Sequence, residues 1–183
     1  MTTLPTWLSQ ALDKKATALA FALGLVTILT ALGSQFIGGL VPCELCLEQR
    51  LAYYWGLPLL AVILVLWNRI PLPVWYVAMA VATAIFAWGT YMGAFHAGVE
   101  WGFWPGPTAC TGLGNPDLSF GDLGGEIEAV IPCDHVQFRL FGISLAGYNA
   151  LVSLAIVALL VVAIIDQVRR NRKAYSSGKS MRS

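Results

Sequence analysis

Four stretches of this chain carry no Asp, Glu, Lys or Arg: Ala16 to Cys43, Leu51 to Asn68, Ile70 to Val99, and Leu140 to Ile165. A membrane-spanning helix needs about 20 mostly apolar residues. The first, third and fourth stretches exceed that. The second, between Arg50 and Arg69, is near the minimum and extends back toward Cys46. Charged residues make up only 11% of the chain, against roughly 25% in a soluble domain. Hydrophobic residues make up 57%, more apolar surface than a soluble fold of this size could hide. Soluble enzyme, disordered tail and nucleic-acid binder are therefore all poor readings of this composition.

The expected fold class is all-α: a four-transmembrane-helix bundle forming a single membrane domain over 1–183. Spans are expected at about 16–36, 45–67, 72–95 and 141–165. A long outer loop is expected at about 97–139 and a basic tail at 169–183. A cleaved signal peptide is disfavoured, because the first apolar run exceeds the ~7–15 residues of a signal core. With four spans both termini share a side. That side holds nine of the eleven basic residues: Lys14, Lys15, Arg69, Arg169, Arg170, Arg172, Lys173, Lys179 and Arg182. The positive-inside rule makes it cytoplasmic. Cys43, Cys46, Cys110 and Cys133 then fall on the outer side, where disulfides persist.

The outer loop holds six acids, opposed only by Arg139, and 8 of the 18 glycines. Its start, WGFWPGP at 101–107, suits an interfacial aromatic belt. Residues 122–131 are expected to form a short surface helix.

The chemistry sits in V-P-C-E-L-C-L-E-Q-R at 41–50. Pro42 suits the first turn of a helix. Cys43 and Cys46 then lie on one face of its first turns, close enough to bond. The positive end of the helix favours a thiolate there. Arg50, four residues after Cys46, lies on the same face. Its cation can stabilise a thiolate or an oxygen anion on a bound molecule. The alternative is a snorkelling interfacial arginine.

Cys110 and Cys133 read either as a structural staple of the loop or as an exchangeable disulfide. A zinc site of all four cysteines is the weaker alternative, since its second half lacks close spacing. His96 is either a capping histidine or a contact, and proton carrier, for a polar head group. Asn149 and Ser144 read as interhelical packing contacts, and Pro58 as a tolerated kink. No carboxylate lies within the four stretches, which argues against an ion or proton pump.

Together P-C-E-L-C-L-E-Q-R (42–50), H-A-G-V-E (96–100), W-P-G-P-T-A-C (104–110), I-P-C (131–133) and F-G-I-S-L-A-G-Y-N (141–149) resemble the DsbB family of bacterial inner-membrane disulfide-bond formation proteins. The resemblance covers most of the chain. It implies a quinone-dependent thiol oxidoreductase. A DsbA-like periplasmic thioredoxin-fold protein would dock on the loop. Cys110 would form the mixed disulfide, with Cys133 its partner in the loop disulfide. Electrons would pass to Cys43–Cys46. Cys46 would engage ubiquinone or menaquinone, with Arg50 and His96 at the head group. The competing readings are a vitamin K epoxide reductase-like enzyme, which tends to carry its CxxC in the last span, and a non-enzymatic membrane protein stapled by disulfides or zinc.

Overall fold

The structure, a computed structural model, describes residues 12–107, 133–134, 136 and 138–180. Four helices dominate it: α1 (Leu12–Phe36), α2 (Glu44–Val65), α3 (Leu72–Glu100) and α4 (Leu145–Ser180). A small antiparallel hairpin, β1 (Arg139–Leu140) with β2 (Ile143–Ser144), leads into α4. Consecutive helices pack on one another, and α4 closes the bundle against α1. Three helices, α1, α3 and α4 (to Ala174), are long and apolar enough to cross a membrane. The expected 122–131 helix lies outside the described residues.

The outer faces of the helices are apolar, and α1 turns mostly small residues inward. In α1 the buried face is Asp13, Ala16, Thr17, Ala20, Gly24 and Ile28, while Leu19, Leu25, Val26 and Leu29 are exposed. In α3, Val74, Val77, Val81 and Trp88 likewise face outward. A soluble helix would invert this pattern. Lipid gives large apolar side chains no reason to hide, so close packing of small residues decides which face turns inward. At Gly93 the backbones of α3 and α4 approach closely. A Cβ there would lie 2.7 Å from Ala150 N and 2.9 Å from its Cα. The centre is filled by Phe86, Leu60, Met79, Ile156 and Leu160, with Tyr53 edge-on to Phe86. α2 continues through Pro58 without a break.

The start of α4 differs from expectation. Residues 141–144 lie before the helix, because Phe141 (φ 51°) and Gly142 (φ 82°) both take left-handed backbone conformations. Two such residues between paired strands make a tight hairpin turn. Ser144 then caps α4, its Oγ accepting the Gly147 N–H at 3.2 Å. At its other end α4 runs to Ser180, well past the apolar stretch.

Cys43, Cys46 and Cys133 lie at the end of the bundle where α1 and α3 finish and α2 and α4 begin. The opposite end gathers Lys14, Lys15, Arg69, Arg169, Arg170, Arg172 and Lys173. There Arg170 ties α4 to the start of α1 by pairing with buried Asp13, and it also pairs with Asp166 at 2.8 Å. Asn171 donates to Tyr76 of α3 nearby, at 3.0 Å.

Candidate active site

Cys43 is the N-cap of α2, with φ −75° and ψ 170°, and Pro42 lies one residue outside the helix. The expected placement of Pro42 and Cys43 in the first turn is thus corrected: the first helical residue is Glu44, two positions after Pro42. Proline's fixed φ still serves the turn into the helix. The Cys43 sulfur sits where a capping oxygen ordinarily would and accepts the Cys46 N–H at 3.2 Å. It therefore lies among the unpaired N–H groups that end a helix, a place that favours negative charge.

Cys43 and Cys46 are joined by a disulfide, with a Cα–Cα separation of 5.0 Å. Cys43 is buried and Cys46 is half-buried. Cys133 is also disulfide-bonded. It is buried in one apolar cluster with Cys43, Leu45, Met92 and Val99. Cys110 lies outside the described residues.

His96, near the end of α3, points into this cluster and is only 3% exposed. Its Nε2 is 3.7 Å from Cys43 Sγ and 3.2 Å from the Cys133 carbonyl oxygen. Its Nδ1 is 2.6 Å from Gln49 Nε2. Glu100, one turn further along α3, brings a carboxylate oxygen to 3.9 Å from Nε2. The sulfurs of Cys43 and Cys46 and a ring nitrogen of His96 all lie within 4.8 Å of one another. While the two sulfurs are bonded to each other they lack the thiolate charge that zinc needs.

Arg50, one turn after Cys46, lies on a different side of α2 from Gln49. Its guanidinium donates to Gln35 Oε1 and, at 3.4 Å, to the Ala31 carbonyl, near the end of α1. Among the described residues no hydrogen bond joins Arg50 to His96. So the structure gathers Cys43, Cys46, Cys133 and His96, and sets Arg50 beside them toward α1. Leu47, Leu51 and Val41 are exposed around Cys46 and Arg50, giving an apolar surface beside a cation.

The sequence reading missed Gln49. Buried and uncharged, it links the site to the bundle interior: Asn149 Nδ2 donates to its Oε1 at 2.6 Å. Tyr53 in turn donates to Asn149 at 2.6 Å and lies 3.1 Å from Ser153 Oγ. The only sequence signal was two polar pairs at helical spacing, Gln49 with Tyr53 and Asn149 with Ser153. Asn149 does make an interhelical contact, and a polar one. Trp104 folds back over the end of α3, donating to the Phe95 carbonyl at 2.9 Å, with its ring against Gly98.

A family model described as "Disulfide bond formation protein DsbB" matches residues 13–163. That range contains every cysteine, Arg50 and His96. No curated protein and no solved structure matches the chain.

Proposed function

The chain belongs to the DsbB family of multi-pass membrane disulfide oxidoreductases, and from that premise we propose that it reoxidises a periplasmic DsbA-like thioredoxin-fold dithiol protein and passes the electrons to a membrane quinone. It would lie in a bacterial inner membrane with both termini cytoplasmic. The observation that carries this reading is the burial of Cys133, itself disulfide-bonded, in one cluster with the Cys43–Cys46 pair. Disulfide exchange requires a thiolate to reach a disulfide sulfur; once the partner opens the loop disulfide, a Cys133 thiolate would already lie in the cluster that holds the Cys43–Cys46 disulfide.

The residues beside Cys46 suit a quinone. The guanidinium has five N–H donors; Gln35 and the Ala31 carbonyl engage two groups of it, and lipid-facing Leu47 and Leu51 adjoin it. A quinone bound there would supply the acceptor for two electrons and two protons as the Cys43 and Cys46 thiols return to a disulfide. Arg50 would hold a quinone oxygen and favour negative charge on it. Cys46, half-exposed on the Arg50 side, would be the sulfur that faces the head group, with His96 a further candidate contact. Cys110 would take the partner's thiolate and Cys133 would hand the electrons inward. The net exchange is balanced: partner dithiol plus quinone give partner disulfide plus quinol.

The test is anaerobic quinone reduction by the purified, detergent-solubilised protein, driven by a reduced thioredoxin-fold dithiol protein. Turnover is expected, and Cys46→Ser should abolish it. A well-folded sample inactive with both ubiquinone and menaquinone analogues would overturn the assignment.

A further inference from the structure

Five side chains from three helices form one continuous hydrogen-bonded chain that ends on the loop cysteine. It runs from Ser153 through Tyr53, Asn149 and Gln49 to His96 and the Cys133 carbonyl. Its direction is set independently on both sides of the imidazole. A carbonyl oxygen only accepts, so Nε2, 3.2 Å from Cys133 O, carries the hydrogen. An amide nitrogen only donates, so Nδ1, 2.6 Å from Gln49 Nε2, presents a lone pair. The Gln49 amide cannot be turned over. Its nitrogen also donates to the Leu45 carbonyl at 3.2 Å, and an oxygen there would face another oxygen. Asn149 holds the Gln49 oxygen from the other side.

We propose that Gln49 is a positioning residue: it holds His96 as the Nε2–H tautomer, and the ring then seats Cys133 against Cys43 for exchange between the two disulfides. This rests on the relay proposed above. In that exchange the Cys133 thiolate bonds to Cys43 Sγ, the Cys43–Cys46 bond breaks, and the electron pair leaves on Cys46. The partner's second thiol closes the partner disulfide and frees Cys110 as a thiolate, which displaces Cys43 from Cys133 and restores the loop disulfide, leaving Cys43 and Cys46 reduced. Both dithiol protons stay available to the acceptor. Because Gln49 and Cys133 engage both ring nitrogens, the inference moves His96 from the head group to the exchange step and leaves the head group to Arg50.

The test compares two ways of driving quinone reduction in wild type and Gln49→Met. Reduced thioredoxin-fold protein must work through the loop. Dithiothreitol can reduce the half-exposed Cys46 directly. In Gln49→Met, partner-driven kcat should fall roughly three- to tenfold, the loss of one net hydrogen bond. Dithiothreitol-driven kcat and quinone KM should stay unchanged. A parallel fall in both drives, a raised quinone KM, or no change in either would overturn the inference. Nitrogen NMR of wild-type His96 needs no variant and should give the Nε2–H pattern; an Nδ1–H pattern would overturn it as well. Wild-type protein inactive under both drives would instead overturn the relay, and the NMR result would still decide the tautomer.

Discussion

Gly93→Ala tests the packing that sets α3 and α4 at their observed separation. The added Cβ would lie 2.7 Å from Ala150 N and 2.9 Å from Ala150 Cα. Both are backbone atoms, so no rotamer change relieves the clash. Reaching ordinary contact at 3.4 Å requires the helices to part by about 0.7 Å, which a densely packed interior resists. Overpacking of this kind costs about 1–3 kcal/mol. Replacing glycine by alanine in a helix also returns about 1 kcal/mol of propensity, which hides part of the cost. Gly33→Ala isolates that gain, because a Cβ at Gly33 meets nothing within 4 Å. The quantity to measure is therefore the difference between the two variants, expected at about 1–3 kcal/mol with Gly93→Ala the less stable. Reversible unfolding in mixed micelles, titrated with a denaturing detergent, reads it. Equal stabilities would refute the close approach. Since Ala150 adjoins Asn149, the same parting would loosen the 2.6 Å Asn149–Gln49 bond, so partner-driven turnover should fall along with stability.

Arg50→Ala should raise the apparent quinone KM about tenfold or more, the loss expected for a hydrogen bond from a charged donor; an unchanged KM would leave Arg50 as a tie between α2 and the end of α1. Arg170→Ala should destabilise the bundle by about 1–3 kcal/mol, because it strands the Asp13 carboxylate inside. Asp13 is only 2% exposed, and the double variant Asp13→Asn/Arg170→Ala should recover much of the loss in the same unfolding assay. A double variant as unstable as the single one would show that the pair is not what holds α1 to α4.

The all-helical, multi-pass character was legible because the hydrocarbon thickness imposes a length on apolar segments, and charge-free runs report that length directly. Disulfide chemistry was legible because the Cys43–Cys46 spacing places two sulfurs on one side of a helix start. Other features depended on tertiary geometry. The turn before α4 rests on Phe141 adopting a left-handed conformation, which an apolar run opening with Leu-Phe-Gly does not announce. Gln49 was read only as part of a motif. Its importance comes from Asn149, a hundred positions away, and from a carbonyl at Cys133 that no periodicity places beside His96. The family resemblance implies Arg50 and His96 at one head group; in the structure the guanidinium bonds toward α1 and the imidazole toward Gln49 and Cys133, Arg50 and Gln49 being adjacent in sequence and so on different sides of α2.

The β1–β2 hairpin also limits where Cys133 can travel. Six residue steps separate it from Arg139, where the hairpin begins, and a chain of that length extends at most about 20 Å. A sulfur confined to a sphere of that radius is present at its target at an effective concentration of about 50 mM. In the relay proposed above, its encounter with Cys43 would thus be a first-order event on a short leash, indifferent to how dilute the protein is in the membrane. Only the arrival of the partner protein and the supply of acceptor should respond to concentration, so a crowded and a sparse bilayer would run the internal step at the same speed.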